Sequence, residues 1–127
     1  MVLFAIKRVD FMKKTKTLKK NYEFKRILTK GKYLSGKYIE CFYINNKVKN
    51  NNFIGIAVSS KIAKANKRNR IKRIIRENYK NIEQNIKTGK CIVFLWKKSR
   101  DVLDCTYCNV KKDMLKIMKE MDMLINE

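Results

Sequence analysis

The residues with the clearest chemistry are arginines near the middle of the chain. Four of the seven arginines fall within nine residues, namely Arg68, Arg70, Arg73 and Arg76. Arginine offers a planar fork of hydrogen-bond donors that matches phosphate oxygens, and it also stacks on nucleobases. Like charges three or four residues apart destabilise an isolated helix, and cations in a first turn oppose the helix dipole. A helix that accepts both costs is expected to bind a polyanion.

The chain lacks the residues that other kinds of reactive site need. The chain has no histidine, so it lacks an imidazole base and a common metal ligand. Its 11 acidic residues are scattered, without the clustered carboxylates of a two-metal nuclease. Its 4 glycines are isolated, so no glycine-rich phosphate loop is present. We therefore expect no catalytic residue and no resident metal in this chain.

The cysteines fit either a metal or redox site or buried and incidental thiols. Cys105 and Cys108 form a Cys-x-x-Cys pair, whereas Cys41 and Cys91 lie singly inside predicted strands. A structural zinc site usually needs two such pairs or histidines. The pair lies near the start of the last predicted helix, where thiols become more acidic, but buried or incidental thiols are the simpler interpretation. Four cysteines without a targeting signal indicate a reducing cytoplasm.

The overall charge agrees with a polyanionic partner. The chain carries 32 Lys and Arg against 11 Asp and Glu, a formal charge of +21 over 127 residues. The excess of positive charge lies in residues 1–100, because residues 101–127 carry four basic and six acidic side chains. So basic a surface repels itself and favours nucleic acid. No apolar run approaches the roughly 18–20 residues that a membrane span needs, so no membrane partner is expected.

Hydrophobic periodicity predicts an alternation of helices and strands. The predicted helices cover 18–30, 66–87 and 105–125, and the predicted strands cover 37–45, 53–60 and 91–96, with a short extra strand near 32–35. Asn66 is the predicted N-cap of the long helix, whose isoleucine stripe has Tyr79 at its margin. The order predicts an α+β sandwich of helices on one sheet.

The chain length suits a single domain. We expect one RNA-binding domain over residues 12–127, and we expect residues 1–11 to be a disordered extension or to precede the true start at Met12. The basic helix is enclosed between predicted strands, whereas a DNA-reading helix-turn-helix joins two helices by a short turn. Folded RNA is therefore favoured over the major groove of DNA.

The segment ANKRNRIKRIIRE at 65–77 resembles the signature of bacterial ribonuclease P proteins, an Arg-Asn-Arg run followed by Ile-Lys-Arg. The preceding FIGIAVSSKIAKA and the opening LKKNYEFKRILTKG also resemble that family, over about residues 12–120 in all. The resemblance implies a small sandwich like the second domain of ribosomal protein S5. In that fold helices lie on a mainly antiparallel sheet, and a β-α-β crossover carries the basic helix.

The resemblance also implies a division of labour. An RNA subunit catalyses removal of the 5′ leader of precursor tRNA with Mg²⁺, and the protein binds that RNA and the leader. By position in the motif, the resemblance assigns binding of the RNA subunit to Lys61, Arg68, Asn69, Arg70, Lys72, Arg73 and Arg76. The resemblance also implies a cleft for the leader between the first helix and the sheet, formed by Phe24, Leu28 and Phe42. The basic rim of this cleft is assigned to Lys19, Lys20, Lys25 and Lys32. Ordinary core packing is the alternative role of the three apolar residues.

Two departures from the family pattern concern the cleft. Leu28 stands where the family often has an aromatic residue, and Trp96, Lys97 and Lys98 stand where it usually has Arg followed by small residues or Pro. Either change is expected to weaken or reshape the cleft, and neither touches the basic helix.

The expected partners are ribonuclease P RNA, in a one-to-one complex with a protein monomer, and precursor tRNA. No small-molecule substrate and no cofactor on the protein alone are expected, with Mg²⁺ belonging to the holoenzyme. One alternative is a general or ribosomal RNA-binding protein without a nuclease partner. Another is a cationic domain for acidic proteins or membranes, which would present its basic residues on a fully exposed amphipathic helix.

Overall fold

Five strands form one sheet in the computed structural model, which describes residues 14–47 and 49–125. The strands are β1 (Thr15–Thr17), β2 (Lys32–Ser35), β3 (Ile39–Asn45), β4 (Asn52–Ala57) and β5 (Lys90–Trp96). The helices are α1 (Asn21–Lys30), α2 (Ala65–Ile82) and α3 (Tyr107–Glu120), with single 3-10 turns at Glu83–Asn85 and Val102–Asp104. The extension predicted over residues 1–11 lies outside the described residues.

The sheet is mixed, with strand order β1-β4-β5-β3-β2. β4 runs parallel to both β1 and β5, whereas β3 runs antiparallel to both β5 and β2. The α+β class and the β-α-β crossover through α2 are as predicted, but the sheet is less antiparallel than expected. The crossover makes β4 and β5 parallel, and β1 adds a second parallel pair. β1 is not predicted from the sequence, because its three residues show no apolar alternation.

The apolar run of β5 explains why helices cover both sides of the sheet. Successive side chains of a strand point to opposite faces. Ile92, Phe94 and Trp96 point to the first face, where they pack with α2 and α3. Cys91, Val93 and Leu95 point to the second face, where Ile27 of α1 packs. A strand buried on both faces has a nearly continuous apolar sequence.

The ends of two helices differ from the predicted ones. α2 begins at Ala65 with Lys64 at the N-cap position, so the prediction of Asn66 as N-cap was wrong. The Asn66 side chain lies inside the first turn, where its Oδ1 accepts from the backbone N–H of Lys67 at 2.9 Å. α3 ends at Glu120 rather than near 125, and Asp122 with φ of 58° then reverses the chain.

A buried polar junction joins α2 to the sheet. Tyr79 is fully buried rather than marginal, and its hydroxyl lies 2.6 Å from Thr15 Oγ1. Asn52 Nδ2 donates to the carbonyl oxygen of Lys87 at 2.9 Å and to the Tyr79 hydroxyl at 3.4 Å. Asn52 Oδ1 accepts from the backbone N–H of Lys90 at 3.0 Å. One pair of side chains therefore connects β1, β4, α2 and the entry to β5.

A second buried group ties α3 to the turn between β2 and β3. The Asp113 carboxylate accepts from the backbone N–H groups of Lys37, Tyr38 and Ile39 at 3.0, 2.6 and 2.9 Å. A Cβ at Gly36 would come within 2.9 Å of the same carboxylate, so a side chain there would displace it. The turn therefore needs glycine because the backbone closely approaches an anchoring side chain.

We expect Tyr79→Phe to lower the free energy of unfolding by about 1–2 kcal/mol, because the buried Thr15 and Asn52 side chains lose a hydrogen-bond partner. Urea denaturation measures this change. Tyr22→Phe, at a residue that is 66% exposed, is the matched control and should change little. Equal stability of the two variants would contradict a structural role for the Tyr79 hydroxyl.

Candidate nucleic-acid interface

The inner side of α2 determines which of its cations face outward. The buried residues of the helix are Ile71, Ile74, Ile75, Asn78 and Tyr79. At 100° per residue, positions 69, 73 and 76 lie opposite them. Asn69, Arg73 and Arg76 are indeed exposed, so the structure confirms the outward basic surface that the sequence predicts for α2.

Arg68 and Lys72 lie along one flank of this surface and are both half-buried. Arg68 Nη1 donates to the carbonyl oxygen of Ala63 at 2.7 Å, which holds the loop before α2 against the first turn of the helix. Arg68 therefore has a structural role beside any binding role. Lys61 is exposed on that loop.

Arg70 lies on the other flank, beside the segment that leads into α3. Its Nη1 donates to the carbonyl oxygen of Cys105 at 3.1 Å. A guanidinium group has five N–H donors, so this bond positions the group and leaves donors for a phosphate. A cavity of about 210 Å³ lies next to it, lined by Lys67, Arg70, Ile71, Val102 and Leu103.

Two basic residues that sequence reasoning did not assign to this surface extend it. Lys98 and Arg100, in the loop after β5, line a cavity of about 260 Å³ together with Lys61. Arg100 Nε donates to the carbonyl oxygen of Lys37 at 2.7 Å, and its guanidinium carbon lies 5.6 Å from the Tyr38 ring centre. No local pattern joins residue 61 to residue 100, because only the parallel pairing of β4 and β5 brings the two loops together.

The basic surface of α2 forms no ion pair with any other residue that the structure describes. The ion pairs found in the described part of the chain are Lys87–Asp122 at 3.5 Å and Lys116–Glu120 at 3.9 Å. Neither pair includes a residue of α2. The outward arginines therefore keep their full charge for an external anion.

The second face of the sheet is only partly covered. α1 lies over the Cys91 end of β5, where its Ile27 meets Ile44 and Phe53. The other end of this face stays accessible, and we call it the open face. It consists of Tyr33, Glu40, Phe42 and Leu95, of which Tyr33 is 50% exposed and the others are half-buried.

The structure separates the predicted leader-cleft residues into two kinds. Phe42 lies on the open face, with its ring centre 5.1 Å from that of Tyr33 and the rings tilted by 54°. Phe24 is a half-buried residue of α1 that packs between the helix and the sheet, where a Cβ at Gly55 would collide with its ring. Core packing therefore describes Phe24 better. Leu28 is 37% exposed on α1.

The predicted basic rim is also divided. Lys19, Lys20 and Lys25 are exposed at the start of α1, where Glu23 Oε1 accepts from the backbone N–H of Lys20 at 3.0 Å. Lys32 lies elsewhere, because it alternates with Tyr33 along β2 and therefore points to the first face. It lines a cavity of about 370 Å³ with Lys30 and Lys90, so its assignment to the rim was wrong.

Trp96 does not reach the open face. Its side chain is buried on the first face, stacks on Tyr38 with ring centres 5.9 Å apart, and donates from Nε1 to the carbonyl oxygen of Arg100 at 3.1 Å. The expectation that this residue reshapes a cleft on the second face was therefore wrong. Its side chain instead supports the loop that carries Lys98 and Arg100.

The Cys105 thiol is not made more acidic by its position near a helix start, as the sequence suggested. Burial raises the pKa of Cys105 to about 11, although the Arg70 charge acts in the opposite direction. Burial also raises the pKa of Cys41 to about 12. Cys108 is exposed, and all four cysteines are free thiols. Cys105 is therefore a protonated core residue at neutral pH.

Two other kinds of site are absent from residues 14–47 and 49–125. Within them, no three His, Cys, Asp or Glu side chains come close enough to hold a metal ion. None of the helices described there is long and apolar enough to cross a membrane.

Comparisons with known proteins identify similar sequences. The chain matches the family model described as Ribonuclease P over residues 12–122. It is 36% identical over 118 residues to the ribonuclease P protein component of Clostridioides difficile strain 630, covering 92% of this chain and 100% of that relative. It is 35% identical over 112 residues to the corresponding protein of Bacillus cereus strain Q1, covering 88% and 96%.

Solved structures show the same similarity. The RNase P protein of Staphylococcus aureus superposes with a TM-score of 0.71 at 31% identity, covering 87% of this chain and 97% of that chain. The RNase P protein from Thermotoga maritima superposes with a TM-score of 0.73 at 27% identity, covering 83% and 96%. The predicted fold class and the predicted family are therefore both confirmed.

We expect Arg76→Gln to raise the free energy of unfolding by a few tenths of a kcal/mol at low salt, because it removes repulsion from Lys72, Arg73 and Lys80 one turn away. Urea denaturation at low and at about 1 M salt measures the gain, which should shrink as screening shortens to about 3 Å. Glu77→Gln is the control of opposite sign, because it removes an attraction to Arg73. A destabilised Arg76→Gln protein would contradict an uncompensated surface.

Proposed function

Because the chain belongs to the ribonuclease P protein family, it is the protein subunit of ribonuclease P and a partner of the RNA of that enzyme, and we propose that its two surfaces divide the RNA contacts. The basic surface of α2 binds the RNA subunit. The open face binds the 5′ leader of precursor tRNA.

The observation that carries this proposal is the placement of the two surfaces on opposite faces of one sheet. α2 covers the first face and turns its arginines outward, whereas Tyr33 and Phe42 lie on the second face. A protein with this arrangement can contact a folded RNA on one side and a single strand on the other at the same time.

On the α2 side, we assign binding of the RNA subunit to Lys61, Arg68, Asn69, Arg70, Lys72, Arg73 and Arg76, joined by Lys98 and Arg100. Backbone carbonyl oxygens already orient the guanidinium groups of Arg68 and Arg70. Ordering these long side chains before binding lowers the entropy lost when a phosphate arrives. Arg73 and Arg76 are exposed and add positive charge that attracts the phosphate backbone of the RNA.

On the open-face side, we assign stacking of leader bases to Phe42, Tyr33 and Leu28. Aromatic side chains bind single strands because every base has a π-face, and a basic rim attracts the backbone. Lys19, Lys20 and Lys25 supply that rim, and Phe24 packs α1 onto the sheet. Leu28 replaces a stacking surface with an aliphatic one, so we expect it to contribute less than Phe42.

Mg²⁺ belongs to the RNA subunit in this proposal. Mg²⁺ prefers carboxylate and other oxygen ligands, whereas the surface of α2 offers mainly guanidinium and ammonium groups, which do not fit a metal cation. The protein acts electrostatically, because its cations reduce the repulsion between two RNA molecules that must come together. We propose a one-to-one complex of a protein monomer with the RNA, acting in the cytoplasm.

We expect Arg70→Ala and Arg73→Ala each to weaken binding to a bacterial ribonuclease P RNA and to reduce the salt slope of log K by about 1, because each substitution removes one phosphate contact. Binding titrations over a salt series measure both quantities. Lys111→Ala, an exposed charge on α3, is the matched control. An unchanged affinity and slope for both arginine variants would remove α2 from the RNA interface.

We expect the reconstituted enzyme to bind precursor tRNA more tightly than mature tRNA, and to cleave at the mature 5′ end at low Mg²⁺ only when the protein is present. Phe42→Ala should lower the preference for precursor about tenfold, because a stacked base contributes about 1–3 kcal/mol. Tyr22→Ala, on the outer side of α1, is the control. Equal affinity for the two tRNAs in the unaltered enzyme would exclude a leader site on the open face.

A further inference from the structure

The open face of this strongly basic protein carries a carboxylate at its centre. The register places Glu40 of β3 between Ser35 of β2 and Leu95 of β5, next to the cross-strand pair of Tyr33 and Phe42. Glu40 is half-buried and is the only charged residue of the four that form the open face.

Four other carboxylates of the described chain bond to the backbone or pair with a lysine. Asp113 and Glu23 accept backbone N–H groups, and Asp122 and Glu120 pair with lysines. Glu40 instead accepts a hydrogen bond at Oε2 from the Tyr33 hydroxyl at 2.6 Å. A hydrogen bond between two such accessible side chains contributes little to folding, so stability does not explain an anion at this place.

The bond to Tyr33 fixes which group donates. A tyrosine hydroxyl is protonated at neutral pH, and the hydrogen bond to Glu40 raises the pKa of Tyr33 further, so Tyr33 is the donor of this bond. A carboxylate accepts at both of its oxygens, so the Tyr33 bond to Oε2 leaves acceptor capacity for a base that stacks on the two rings. The geometry therefore combines a stacking surface with one strong hydrogen-bond acceptor.

A carboxylate in such a site discriminates between parts of a single strand. It repels phosphate groups, so the leader backbone must run along the lysine rim and the bases must turn toward the sheet. Among the bases, cytosine, adenine and guanine each carry an exocyclic amino group that donates to an acceptor. Uracil carries carbonyl oxygens at the corresponding places, which repel a carboxylate and flank its one donor on that edge, the ring N3–H.

We propose that Glu40 is a specificity-determining residue for the leader, whose carboxylate accepts a hydrogen bond from the exocyclic amino group of an unpaired base stacked on Tyr33 and Phe42. Bases with an amino group are thereby preferred over uracil at the leader position that reaches this site. The inference rests on the proposed leader site and adds base recognition to it.

The test compares two precursor tRNAs whose leaders are entirely cytidine or entirely uridine. The two bases have the same ring size and differ at the amino or carbonyl group and the neighbouring ring nitrogen, so the matched pair isolates the edge that Glu40 contacts. We expect the enzyme reconstituted with a bacterial ribonuclease P RNA to bind the cytidine precursor about fivefold more tightly. Equilibrium titration of each precursor measures the ratio.

Variants at position 40 assign the preference to the carboxylate. Glu40→Val should bring the ratio of cytidine to uridine affinity close to one. It should improve binding of the uridine precursor, because the repulsion is removed, and weaken binding of the cytidine precursor, because the acceptor is removed. Glu40→Gln should also bring the ratio close to one, because its amide donates to uracil as readily as it accepts from cytosine. Glu120→Gln, which removes the same charge from α3, is the control and should keep the ratio.

The outcomes separate this inference from the leader site itself. A ratio near one in the unaltered enzyme, or a ratio that survives both substitutions at position 40, overturns the role of Glu40. If either result accompanies a clear preference for precursor over mature tRNA, the leader site stands and only base recognition fails. Equal binding of precursor and mature tRNA removes both.

Discussion

The position of the basic helix depends on the buried hydrogen bonds of Tyr79. The Tyr79 hydroxyl lies 2.6 Å from Thr15 Oγ1 of β1 and accepts from Asn52 Nδ2 of β4 at 3.4 Å, and Asn52 is itself bonded to the backbone of Lys87 and Lys90. All three side chains are buried, and a buried polar group without partners is costly, so rotation of α2 about its axis is resisted by the loss of the two bonds of Tyr79. The outward direction of the arginines is therefore determined on the opposite side of the helix from the arginines themselves.

The sequence predicted the parts of the fold that have a strong hydrophobic pattern. The isoleucine spacing of α2 and the apolar runs of β3, β4 and β5 identified four elements and their order. β1 was missed, because a three-residue polar strand is formed only by its pairing with β4. Tyr79 was placed at the margin, because the partners that bury its hydroxyl lie far away in the chain.

The basic side of the candidate site was predictable and the sheet side was less so. Helical periodicity alone turns Asn69, Arg73 and Arg76 outward. The open face depends instead on strand register, where a shift of one residue exchanges the two faces. That is why Lys32 was assigned to the wrong face, and why Tyr33, which stands beside Phe42 only across two strands, was not recognised.

Because the cations of α2 have no ion-pair partner among the residues that the structure describes, the amount of folded protein in a cell also depends on the supply of RNA. A ligand that binds only the native chain stabilises it by mass action, by about 2.7 kcal/mol at a hundredfold excess over the dissociation constant. A subunit that keeps its cations unpaired draws this stabilisation from RNA, so copies made in excess of the RNA lack it. Degradation of those less stable copies would keep the two subunits in balance without a dedicated regulator.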